Sequence, residues 1–230
     1  MKKRLGYFSK AELILWFSSL LIITLSFLTF DRENFLTLIA SLIGSTSLIF
    51  SAKGNPFGQF LMIIFSILYG IISFSFAYYG EMITYLGMTG PMALFALISW
   101  LKNPFKGNKS EVTVNRIRAK EVIFMFILSA IITIGFYFIL KAFNTSYLFF
   151  STLSVTTSFI AVYLTFRRSP YFALAYAAND IVLIVLWSLA TTYDISYLSV
   201  IICFVMFLIN DLYGFFNWLR MQKSQAEQET

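Results

Sequence analysis

The chain has 230 residues, of which 59% are hydrophobic and only 12% charged, with a mean hydropathy of +0.78. Soluble domains lie nearer half apolar and a quarter charged, so the composition excludes an ordinary soluble protein and implies an integral membrane one. The absence of histidine removes the usual metal ligand and neutral-pH acid–base group, and the single cysteine, Cys203, excludes an intrachain disulfide.

Eight apolar runs follow one another, at roughly 11–30, 34–51, 57–77, 82–101, 121–140, 147–166, 171–191 and 196–218. Each is close to the ~20 residues a helix needs to cross a ~30 Å hydrocarbon core. Residues 1–10 ahead of the first run resemble a signal peptide, but no small-residue cleavage site follows and seven more runs succeed it, so it is read as a retained helix. That first span carries Trp16 and little polar beyond Ser and Thr, and is expected to be peripheral.

From the second run the chain repeats. Lys53-Gly-Asn-Pro56-Phe57 matches Arg167-Arg-Ser-Pro170-Tyr171, each proline opening a helix where its missing N–H does no harm. Tyr79-Gly80 matches Tyr193-Asp194, and Ser99-Trp100-Leu-Lys102 matches Asn217-Trp218-Leu-Arg220. Pro56 to Trp100 is 44 positions and Pro170 to Trp218 is 48, so the second copy carries a short insertion. The expected organisation is a leading helix (1–33), a first three-helix unit (34–101), a loop and linking helix (102–146), a second three-helix unit (147–220) and a polar tail (221–230) expected to be disordered. Parallel repeats of this kind are a transporter architecture, with substrate held near mid-membrane between the units.

The charges orient the chain. Alternating the spans puts all of the 17 basic residues except Arg32 and Lys141 on one side, together with both termini and the loop 102–120. The positive-inside rule makes that side cytoplasmic, in the cell membrane, with the loop as a topology determinant. The net charge of +6 is thus no footprint of nucleic acid.

There is no catalytic triad, metal-spaced cluster or nucleotide-binding loop, so a self-contained ATP-driven pump is excluded, a membrane-embedded enzyme is disfavoured, and no cofactor is expected. Polar residues inside the spans are the remaining candidates. Asn179 and Asp180 lie at the centre of the seventh run, where a carboxylate costs roughly 2.5–3.5 kcal/mol. Tyr176, Asp180 and Trp187 share a helix face suited to a flat polar or cationic ligand. The pair recurs as Asn210-Asp211, with Tyr213 and Asn217 on the adjoining turns, and Gln59 and Tyr69 are available in the third run. For the asparagines and serines, plain interhelical hydrogen bonding is the competing reading. Trp100 and Trp218, beside Lys102 and Arg220, are read as interface anchors.

The helix pattern, the proline-opened run carrying Asn179-Asp180 and Trp187, and the closing Asn210-Asp211-Leu-Tyr213-Gly214-Phe-Phe-Asn217-Trp218 resemble PnuC-type transporters from about residue 34 to 220. That family is similar in fold to SWEET sugar carriers. The resemblance implies facilitated diffusion of nicotinamide riboside or a related vitamin precursor, with a cytoplasmic kinase trapping the product. Riboside carriers of the family tend to have two tryptophans three apart in this helix. Here Ile184 and Ala190 flank Trp187 at that spacing, which leaves a deoxynucleoside, thiamine or riboflavin as alternative substrates. A binding subunit of an ATP-driven importer is a further alternative, disfavoured by the parallel repeat. The expected partners are the small-molecule substrate and membrane lipid; homo-oligomerisation stays open.

Overall fold

The computed structural model describes residues 6–75 and 79–229. Lys2, Lys3 and Arg4, used above to orient the chain, lie outside the described residues, as does the end of the third predicted span. Among the described residues, eight helices are long and apolar enough to cross a membrane, in the positions the hydropathy predicts.

Helix α1 (Lys10–Phe30) opens on a capping box in which Ser9 and Glu12 satisfy each other's backbone N–H groups. Helices α2 (Phe35–Ala52) and α3 (Pro56–Ser75) form the first antiparallel pair. They meet closely: a Cβ on Gly58 would lie 2.6 Å from the Ser51 backbone nitrogen. The fourth span is broken into α4 (Tyr79–Thr84), a π-helical turn (Tyr85–Thr89) and α5 (Gly90–Lys102). Pro91 explains the break, because it cannot bond Gly87 and its ring pushes that carbonyl aside. The ladder slips by one residue and the Gly90 N–H bonds Tyr85 O instead.

Helix α6 (Ala119–Ala142) packs chiefly on α7 (Leu148–Phe166) and presents most of its surface outward, as a linking helix would. Glu121 on its first turn takes a forked hydrogen bond from Arg167, and that bond holds the guanidinium above its ordinary pKa. Helices α8 (Tyr171–Ala190) and α9 (Leu198–Glu229) complete the bundle, separated by a short 3₁₀ turn at Ile195–Tyr197.

Two expectations are corrected here, on the tail and on the tryptophans. The tail is not disordered: α9 runs on to Glu229. The loop between α5 and α6 carries structure as well as charge. It folds as a hairpin, β1 (Pro104–Phe105) and β2 (Asn108–Val112), about a two-residue turn with positive φ at Lys106 and Gly107. Tail and hairpin stabilise each other, since Gln225 accepts from the Val114 N–H and donates to Val112 O and Glu111. Trp100 and Trp218 are not interface anchors either. Both are fully buried, 5.3 Å apart at the ring centroids, against Phe172 and Val112. As expected, α1 is peripheral, with most of its surface facing outward, and one polar edge ties it in. Glu12 is buried between Lys53, at 3.2 Å, and the Tyr213 hydroxyl, at 3.1 Å, while Ser19 accepts from Asn210.

The tryptophan contacts cross between the two halves. Trp100 Nε1–H donates to Thr165 O on α7, and Trp218 Nε1–H donates to Ser51 O on α2, both at 2.8 Å. Their preceding residues do the same: Ser99 donates to Phe166 O and Asn217 to Ala52 O. Thr165 and Phe166 stand five and four positions before Pro170, as Ser51 and Ala52 do before Pro56. Gly54 and Arg168, each two before its proline, both adopt left-handed φ, +67° and +55°. The hairpin strand bridges the two turns, with the Val112 N–H on Gly54 O and the Asn115 N–H on Arg168 O.

Candidate functional site

The end of the bundle opposite the hairpin is open. A cavity of about 690 Å³ lies between the start of α4, the α6–α7 connection and the α8–α9 connection. Its wall carries Tyr79, Glu81, Asn144, Tyr147, Ser151, Trp187, Tyr193, Asp194 and Tyr197. This volume and this mix of rings with a few polar groups suit a nucleoside-sized ligand. Trp187 packs on Tyr197 with centroids 5.2 Å apart, and its indole lies against the Tyr69 hydroxyl. Tyr69 in turn packs on Tyr85 at 4.4 Å, in the π-helical turn. The slip in the ladder thus places one more ring in the layer beneath the cavity.

Below that layer the buried carboxyls of Asp180 and Asp211 lie side by side, between α8 and α9, with Tyr176 and Tyr85 as neighbours. Oδ2 of Asp180 has no hydrogen-bond donor, so the pair is not fully used in packing. Beneath it the Trp100–Trp218–Phe172 cluster closes the hairpin end. From one end to the other the order is aromatic cavity, tyrosine–tryptophan layer, acid pair, tryptophan seal.

The predicted site residues divide accordingly. Trp187 lines the cavity; Tyr69 lies directly behind it; Tyr176, Asp180 and Asp211 form the mid-membrane cluster. The others are placed elsewhere with partners of their own. Asn179 accepts hydrogen bonds from Thr157 and Ser158 of α7, at 2.8 and 3.0 Å. Asn210 donates to Ser19 and to Met206 O, and Tyr213 to Glu12. Gln59 donates to Ser51 Oγ, and Asn217 to Ala52 O. The recurring asparagine–aspartate pair therefore splits: its aspartates meet, and its asparagines turn away to different helices.

Sequence reasoning passes over Glu81, Tyr85, Tyr147 and Tyr197. The loop-borne rings carry no periodic signal. Glu81 had one, as the lone acid between Glu33 and Glu111, and Gly90-Pro91 marks the break that places Tyr85.

A bundle of membrane-spanning helices with a ligand-sized cavity at one end, a polar centre and a closed opposite end is the build of a membrane transporter. The chain belongs to the nicotinamide mononucleotide transporter family, whose model matches residues 34–220. It is 24% identical over 204 residues to a nicotinamide riboside transporter PnuC of Neisseria mucosa, covering 86% of this chain and 77% of that protein. Its fold matches a crystal structure of a vitamin B3 transporter PnuC with a TM-score of 0.83, at 22% identity over 96% of this chain and 95% of the other. Members of such a family are carriers, not enzymes.

Proposed function

We propose that the protein takes up nicotinamide riboside, or a closely related nucleoside-like vitamin precursor, by facilitated diffusion across the cell membrane, with a cytoplasmic kinase trapping the substrate. The observation that carries this reading is the 690 Å³ cavity, walled by aromatic rings and leading toward a polar mid-membrane cluster, in a chain of this family. A flat base stacks on Trp187 and the surrounding tyrosines, and the ribose hydroxyls reach polar groups such as Asn144 and Ser151. Asp180 and Asp211 receive the substrate once it passes the Tyr69–Tyr85 layer.

The matched offsets of the crossed tryptophan contacts support two parallel three-helix units hinged about α6. With the hairpin end cytoplasmic, the side the positive-inside rule favours for its basic residues, this conformation is open to the outside, and transport consists in closing the cavity and releasing the tryptophan seal. Absence of the second tryptophan beside Trp187 favours a second reading, in which a different nucleoside of similar size is carried.

Purified protein in liposomes tests the proposal. Nicotinamide riboside should enter without ATP or an ion gradient and stop at equal concentrations inside and out. Binding without entry would point to a subunit of a larger importer, and accumulation of unmodified substrate under a sodium or proton gradient would rule out facilitated diffusion.

A further inference from the structure

Glu81 is set into the wall of the cavity and is only 8% exposed. Among the described residues its carboxylate has no cationic partner: the ion pairs there are Lys53–Glu12 and Arg167–Glu121, both at the hairpin end. Among the described residues no lysine or arginine lines the cavity. Asp194, the other acid in the wall, differs in being exposed and in accepting the Ser196 N–H. A nearly buried carboxylate without a counter-ion either takes up a proton or meets a cation, and a cationic ligand favours its charged form. The same wall supplies the rings that a flat cation favours, Tyr79, Tyr147, Trp187 and Tyr197.

We infer that Glu81 reads the positive charge of the substrate, so that the cavity selects an N-ribosylpyridinium cation over an uncharged nucleoside of the same shape. The inference deepens the proposed function and rests on it. It assigns the charge-reading role in the open state to Glu81, with Asp180 and Asp211 below the aromatic layer taking it up later.

The test compares nicotinamide riboside with its 1,4-dihydro form, which keeps the carboxamide and ribose but has a neutral ring. Binding of both to the purified full chain is titrated calorimetrically for wild type, Glu81→Gln and Glu81→Asp. The wild type should prefer the cation roughly ten-fold or more, the scale of a hydrogen bond to a charged group. Glu81→Gln should abolish most of that preference by weakening the cation alone, and Glu81→Asp should keep much of it. An unchanged ratio in Glu81→Gln overturns the assignment. So does a wild type that binds both forms equally, a result that stands even if the variant does not fold. Failure of the wild type to bind either form overturns the substrate reading itself, and the assignment with it.

Discussion

Asn179 and Asp180 are adjacent in sequence and opposite in use. Asn179 bonds two hydroxyls of α7 and so ties α8 to its neighbour, whereas Asp180 faces Asp211 with one oxygen unpaired. Asn179→Ala leaves the Thr157 and Ser158 hydroxyls without that acceptor, although Thr157 retains backbone ones. The expected cost is about 1–3 kcal/mol of stability, seen as a lower melting temperature with nearly normal substrate affinity. Asp180→Asn places an amide donor against Asp211, and should melt no lower than the wild type. If Asp180 meets the substrate's charge on the way through, this variant should lose transport rate for a cation while keeping that for a neutral nucleoside. Reduced affinity in a well-folded Asn179→Ala protein would show instead that this asparagine touches substrate. The pairing of the aspartates was not legible from spacing, because it depends on the relative rotation of α8 and α9.

Helix ends carry the next level of the design. Each tryptophan closes on a carbonyl five positions before the other half's proline, so the seal at the hairpin end is built from two equivalent crossings. Trp100→Phe and Trp218→Phe each remove one donor while keeping most of the ring. Each should cost about 0.5–1.5 kcal/mol in the closed state. If the seal holds the open-outward state, both variants should raise labelling of Ala173→Cys from the hairpin side, and to similar extents. A large effect from one and none from the other would argue against equivalent units. The punctuation that suggested the repeat was visible in the sequence, as prolines and tryptophans at comparable distances. That the tryptophans point inward was not, because a tryptophan beside a basic residue at a helix end reads equally well as a lipid anchor.

For the molecule as a whole, the proposed orientation rests on the charge partition and on where the hairpin sits. Lys102, Lys106, Lys109, Arg116, Arg118, Lys120, Arg167 and Arg168 gather at the end sealed by the tryptophans, and the long α9 continues from that end into the tail. A single cysteine at Lys109, an exposed position on the hairpin, should be reached by an impermeant reagent in inverted vesicles and not in intact cells. Labelling from outside would reverse the assignment of the open cavity to the outer face.

What could be read from the residues alone was whatever hydrocarbon and chain geometry impose locally. Runs of about 20 apolar residues must be helices, since a backbone in lipid has to satisfy its own hydrogen bonds. Proline at 56 and 170 suits the start of one, and a carboxylate at 180 or 211 must have a reason. What needed three dimensions was every choice that depends on which face of one helix meets another. Rotation about α8 turned Asn179 to α7 and Asp180 to α9. The slip at Pro91 brought Tyr85 under Tyr69, and loops distant in sequence came together around Glu81. In a bundle this apolar nearly every helix face is compatible with burial, so hydropathy cannot specify rotation, and only packing of particular side chains selects it.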